Sequence, residues 1–127
     1  MNLYKGKLKI NETPLVYAIL QFCHYQENLG KLTYIRNNTG QAEYEDRQNP
    51  EKKRKVNYGR PDSPDILIFI KGGITLFFEC KSSDGKVRPG QVKFGQRLKD
   101  LGHRSYVLRD PQTAMDIINE AIKGVKV

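Results

Sequence analysis

Two spacings of apolar residues divide the chain into predicted helices and strands. A first helix is predicted between Asn11, a good cap, and Gly30, because the apolar residues between them recur at helical spacing. These residues are Leu15, Val16, Ile19, Leu20 and Cys23. A strand is predicted over 32–36, since this segment has high β propensity and is followed by a polar turn.

The strongest local pattern lies in the middle of the chain. Residues 66–70 and 74–78 form two β-rich runs joined by LysGlyGly, which predicts a β-hairpin. Both faces of each run are apolar, as is typical of interior strands that helices cover on either side. The hairpin therefore indicates an α/β sandwich.

The last third of the chain predicts two helices around one strand. Pro89 suits the first turn of a helix that ends at Gly102, residues 104–108 have β propensity, and Asp110 with Pro111 begins a final helix. The predicted order is helix, three strands, helix, strand and helix. A length of 127 residues predicts one domain over 1–127.

Residues 41–60 interrupt this order, because they are polar and show no period. We predict a long loop or a poorly ordered arm there. Its second half contains the basic cluster, defined as Lys52, Lys53, Arg54 and Lys55. Such a run is usually a solvated surface, but it also suits the backbone of a nucleic acid, and Arg36 and Arg60 are candidates for the same contact.

Charge and cysteine content narrow the class of protein. The formal net charge of +8 suits a polyanionic partner, although it also serves solubility. The apolar runs are far shorter than the roughly 20 residues of a membrane span, and no apolar signal segment follows the first residues, so a cytoplasmic protein without a membrane partner is expected. Cys23 and Cys80 lack the spacing of a zinc ribbon or a disulfide scaffold.

The register of the predicted hairpin brings two acids together. If LysGlyGly is a three-residue loop, Ile70 pairs with Ile74 and Asp65 faces Glu79, whereas a two-residue turn would place Cys80 opposite Asp65. Opposed carboxylates destabilise a sheet unless a positive charge compensates them. Lys81 points to the same side as Glu79, so the compensation is either a plain ion pair or a hard divalent cation such as Mg²⁺ or Mn²⁺.

Two helical side chains are candidates for the same place. Glu12 shares a helix face with Val16 and Ile19, which directs it toward the sheet near the helix start, where an acid is also favoured by the helix dipole. Gln91 lies on the apolar stripe of its helix, so its amide points inward and needs hydrogen-bond partners.

These residues carry a resemblance. Pro64 and Asp65, followed by GluCysLys at 79–81, look like the PD-(D/E)XK nuclease signature. With Glu12 in the first helix and ArgProGlyGln at 88–91, the chain resembles the VRR-NUC family, which includes stand-alone phage-type nucleases. A second ProAsp ends at Asp62, but that residue would precede the strand and lie out of register with Glu79.

The resemblance implies a restriction-endonuclease-like αβββαβ core, with a mixed central sheet flanked by helices and a C-terminal helix. It implies that Asp65, Glu79 and the Cys80 carbonyl hold Mg²⁺ or Mn²⁺, helped by Glu12. Lys81 would act on the attacking water and the phosphate, and Gln91 would orient the site.

The implied function is a structure-selective DNA endonuclease of the Holliday-junction resolvase type. Such an enzyme is expected to be a homodimer on branched DNA, and to work in the host cytosol if a phage encodes it. A flap or end-directed nuclease, an RNA-directed enzyme and a non-catalytic DNA-binding module on the same fold remain alternatives.

Overall fold

The computed structural model describes residues 3–4 and 7–124 and shows a mixed α/β architecture. In this part of the chain the helices are α1 (Glu12–Asn28), α2 (Pro89–Asp100) and α3 (Pro111–Ile122). The strands are β1 (Leu3–Tyr4), β2 (Lys7–Leu8), β3 (Leu32–Arg36), β4 (Gly40–Glu45), β5 (Lys53–Tyr58), β6 (Ile66–Ile70), β7 (Ile74–Cys80) and β8 (Arg104–Leu108).

The central sheet has four strands in the order β3-β6-β7-β8. β6 runs antiparallel to both β3 and β7, whereas β8 runs parallel to β7. A parallel neighbour needs a crossover connection, and α2 provides it between β7 and β8. This mixed sheet, flanked by helices and followed by the C-terminal α3, confirms the predicted fold class.

The hydrophobic core lies between one face of the sheet and two helices. Alternate residues of β6 and β7, such as Ile68 and Phe78, are fully buried there against Ile19 of α1 and Ile118 of α3. The opposite face is only partly covered, because α2 has no buried residue and Phe69 is 37% exposed. Helices therefore flank both faces of the sheet, as predicted, but the face of β6 that carries Phe69 stays partly exposed.

The predicted long loop or poorly ordered arm over 41–60 is wrong, because most of this segment forms an antiparallel hairpin. β4 and β5 pair with each other from Gly40 opposite Tyr58 to Glu45 opposite Lys53. All twelve residues of the two strands are exposed, so the hairpin gains no burial against the core. Apolar periodicity could not reveal strands that bury so little.

Candidate active site

The turn between β6 and β7 sets the register that brings the candidate acids together. Lys71, Gly72 and Gly73 form the predicted three-residue loop, and both glycines have a positive φ that other residues rarely adopt. Ile70 pairs with Ile74, and the register continues to Ile66 opposite Phe78. The next step along both strands places Asp65 and Glu79 opposite each other, as the three-residue loop predicts.

Asp65 is fixed at three points. Its amide donates a hydrogen bond to the Phe78 carbonyl (2.9 Å), and its own carbonyl accepts one from the Asn37 amide (2.7 Å). Its carboxylate accepts a hydrogen bond from the Cys80 amide at 2.7 Å. These contacts hold one carboxylate oxygen at the end of β7, beside Glu79.

Asn37 supports this segment, although no motif in the sequence predicts that it does. Its side-chain amide donates hydrogen bonds to Ser63 Oγ (2.7 Å) and to the Pro64 carbonyl (2.8 Å), directly before Asp65. It thus ties the end of β3 to the ProAsp segment. Asparagine in a turn is so common that sequence alone gives no sign of this role.

Glu79 and Lys81 are buried polar residues on the α2 side of the sheet, where the half-buried Gln91 contacts Glu79. The Lys81 ammonium lies 3.8 Å from Glu79 Oε1, and the same oxygen accepts a hydrogen bond from Gln91 Nε2 at 2.7 Å. Gln91 in turn accepts a hydrogen bond from the Arg88 amide at 3.0 Å, within the first turn of α2. The Lys81 amide donates to the Leu108 carbonyl of β8. The predicted inward position of Gln91 is confirmed.

Burial raises the pKa of both acids, and the charge of Asp65 adds to the effect at Glu79. Burial, and then the charge of Asp65, raise the pKa of Glu79 to about 7, against the opposing effect of Lys81. Burial also raises the pKa of Asp65, although the Cys80 amide and the charges of Lys81 and Arg36 act in the other direction. Lys81 lowers the pKa of both acids without offsetting the effect of burial, and its one ammonium faces two carboxylates.

Glu12 reaches the same region from the start of α1. It is exposed, and it lines a cavity of about 130 Å³ together with Asp65 and Arg36. Its charge contributes to the raised pKa of Glu79. The structure thus brings Glu12 to the Asp65 side of the candidate site, and records no hydrogen bond between them in the described residues.

Three comparisons with known proteins bear on this arrangement. No protein-family model matches the chain. A solved structure described as a VRR_NUC domain superimposes with a TM-score of 0.57 at 20% identity, over 85% of this chain and 94% of that one. "Putative nuclease p44" of Acyrthosiphon pisum secondary endosymbiont phage 1 is 38% identical over 63 residues, which are 50% of this chain and 67% of that protein. The chain belongs to the VRR-NUC family of nucleases.

The donor set of this VRR-NUC chain is compatible with a hard cation. Within residues 3–4 and 7–124, no cluster of three or more His, Cys, Asp or Glu side chains has the geometry of a metal site. Asp65 and Glu79 nevertheless lie opposite each other at the ends of their strands, and the Cys80 amide is bonded to the Asp65 carboxylate. Oxygen donors with uncompensated negative charge fit Mg²⁺ or Mn²⁺, so the residues present suit a partial cation site.

The six cations considered for nucleic-acid contact lie in three places. Arg36 is beside Asp65 and has its guanidinium 5.2 Å from the centre of the Tyr17 ring. Arg60 lies 5.2 Å from the centre of the Phe94 ring on α2. The basic cluster lies outside the central sheet, on β5 and the turn before it.

Asp62 of the second ProAsp has a different position from Asp65. It lies in the turn before β6 with a φ of 67°, and its carboxylate is 3.4 Å from the Arg88 guanidinium at the start of α2. This agrees with the prediction that Asp62 falls before the strand.

None of the helices in the described part of this VRR-NUC chain is long and apolar enough to cross a membrane.

Proposed function

We propose that this VRR-NUC chain is a divalent-metal-dependent DNA endonuclease of the Holliday-junction resolvase type, working in the cytosol. The observation that carries the proposal is the opposed pair of Asp65, which is half-buried, and Glu79, which is buried beside Lys81 and held by Gln91. A module that only binds DNA gains nothing from two acids directed at a polyanion. A hydrolytic site needs them to hold a cation.

Each residue has a distinct part in the proposed site. Asp65, Glu79 and the Cys80 carbonyl would hold Mg²⁺ or Mn²⁺, with Glu12 at the edge of the set. A bound divalent cation lowers the pKa of water and offsets charge that develops on a phosphate. Lys81 presents a buried ammonium to the same place, where it can orient water and stabilise negative phosphate oxygens. Gln91 fixes the rotamer of Glu79 through its 2.7 Å hydrogen bond.

The test is cleavage of labelled four-way junction, flap, splayed and linear duplex DNA with Mn²⁺, Mg²⁺ or EDTA. We expect metal-dependent cutting of the junction in symmetric nicks, and a loss of roughly 100-fold or more in Glu79→Gln. Glu120→Gln is the matched control, because Glu120 is exposed on α3, away from the site. Preferred cutting of flaps would indicate the end-directed alternative. Tight binding without cutting under any metal would contradict the proposal.

We further propose that the active form is a homodimer. The described residues contain one pair of opposed acids, and two nicks placed symmetrically on a junction need two such sites related by a two-fold axis. Sedimentation at micromolar concentration, with and without junction DNA, tests this directly. A monomer in both conditions that still makes paired nicks would contradict the dimer.

A further inference from the structure

The hairpin of β4 and β5 has two unlike faces, because side chains alternate along each strand. We call one the aromatic face: Gly40, Ala42, Tyr44, Arg54, Val56 and Tyr58. We call the other the charged face: Gln41, Glu43, Glu45, Lys53, Lys55 and Asn57. This separation is unrelated to burial in the core, since all these residues are exposed.

The charged face is largely paired with itself. Glu43 lies opposite Lys55, with 3.9 Å between carboxylate and ammonium, and Glu45 lies opposite Lys53. These two lysines therefore have acidic neighbours that also repel a phosphate backbone. The charged face is a weaker site for a polyanion than the sequence of the basic cluster indicates.

The aromatic face presents large side chains that remain about half exposed: Tyr44 at 50%, Tyr58 at 46% and Val56 at 45%. The Tyr58 ring lies across Gly40, where a Cβ would be 2.8 Å from the phenol oxygen. Because position 40 has no side chain, the Tyr58 ring can lie directly against the backbone of Gly40. Arg54 adds a guanidinium to the same face, bonded to Asp46 at 3.0 Å.

The base of the hairpin leads toward the candidate active site. Tyr58 lines a cavity of about 580 Å³ together with Asp62 and Arg88. Arg88 begins α2, and its amide is bonded to Gln91, which holds Glu79. A DNA strand that enters the active site past the start of α2 would therefore contact the aromatic face.

We infer that the aromatic face stacks against unpaired bases of the DNA strand that enters the active site. The inference rests on the proposed function and adds that bases at the branch point of the junction unpair and stack on this face when the strand is held for cutting. Tyrosine rings and arginine planes suit base stacking, which does not depend on sequence. A six-residue, two-stranded face measures roughly 200 Å². This is well below the roughly 800 Å² per partner of a stable protein dimer.

The experiment measures binding in EDTA, so its outcome does not require cleavage. Two DNAs of equal length are titrated, labelled oligothymidine and a blunt duplex. The proteins are wild type, Tyr44→Ala, Tyr58→Ala, Tyr44→Phe and Tyr58→Phe. Each alanine variant is expected to weaken oligothymidine binding about 10-fold, with little effect on the duplex, because each ring lost removes a stacking contact. The Phe variants keep the ring and should bind as wild type does.

Tyr25→Ala is the matched control, because Tyr25 is 61% exposed on α1, outside the hairpin. Unchanged oligothymidine affinity in the alanine variants, or equal losses on duplex and single strand, would overturn the inference. So would a sedimenting dimer that dissociates in the Tyr44 and Tyr58 alanine variants, since the face would then join two copies. Binding of oligothymidine as expected without cleavage of any DNA would overturn the proposed function and leave the stacking face in place.

Discussion

Glu79 is the residue at which the chemistry of the site is most visible. It is buried, it accepts a hydrogen bond from Gln91, and it lies between a carboxylate and an ammonium. Burial and the charge of Asp65 raise the pKa of Glu79 to about 7, although Lys81 acts in the other direction. Ionised Glu79 therefore costs stability in the folded protein.

The raised pKa makes the stability of the metal-free protein depend on pH. Between the ordinary pKa of 4.5 and the folded value near 7, the folded chain keeps a proton that the unfolded chain releases. The free energy of unfolding therefore falls as pH rises through this window, by up to about 3 kcal/mol. Urea unfolding in EDTA from about pH 5 to about pH 8 measures the change.

Glu79→Gln removes the titrating group and should flatten this part of the pH profile. Glu120→Gln should keep the full dependence, because its side chain is exposed on α3. Equal pH profiles for wild type and Glu79→Gln would show that another group is responsible.

The residues of the site divide into those that sequence predicts and those that need the fold. Asp65, Glu79 and Lys81 follow from the length of one glycine turn and from strand alternation, which are local rules. Asn37 could not be found this way, because its partners lie 26 and 27 residues away, and nothing local distinguishes it from an ordinary turn asparagine.

At the scale of elements, the position of α2 depends on a close contact with the turn before β6. Gly90, in the first turn of α2, lies so near Asp62 that a Cβ would overlap the carboxylate. Asp62 also pairs with Arg88. The turn and the helix start are therefore packed together next to Gln91.

Gly90→Ala should displace the Asp62 carboxylate and slow cleavage by about 10-fold, because a small shift of the Gln91 amide loosens Glu79. The double variant with Asp62→Gly should recover most of the rate, since the overlap is removed and glycine accepts the positive φ at position 62. Gly95→Ala is the control in the same helix, where a Cβ would meet Ser105 Oγ at 3.3 Å. A rate in the double variant no better than in Gly90→Ala would contradict this account.

The elements that sequence predicted well are those that bury apolar residues. α1 and α3 follow from the helical spacing of apolar residues, and β6 and β7 follow from continuous apolar runs around a glycine turn, because the core needs their apolar side chains. β4 and β5 were missed since their residues alternate between charged and aromatic side chains, all exposed. The hairpin also has cross-strand charge pairs, which can be recognised only once the register is known. In these pairs Glu43 lies opposite Lys55, and Glu45 lies opposite Lys53.

At the scale of the whole molecule, the net charge of +8 sets the long-range attraction to DNA, and the hairpin shows how that charge is distributed. Two members of the basic cluster already form ion pairs in the free protein, since Arg54 pairs with Asp46 and Lys55 pairs with Glu43. Part of the positive charge of the cluster is therefore balanced before DNA binds. Its contribution to DNA binding should therefore be smaller than four free cations would give.

The salt dependence of binding measures this contribution. Each phosphate contact adds about 0.9 to the slope of log affinity against log salt on duplex DNA. Replacing the whole basic cluster by glutamine should lower the slope by about one to three units, with the loss limited by the acids that already face Lys53 and Lys55. Lys31→Gln with Lys71→Gln removes charge at the opposite end of β6 and should leave the slope nearly unchanged. An unchanged slope after neutralising the cluster would place the DNA backbone elsewhere on the protein, with Arg36 and Arg60 as the next cations to replace.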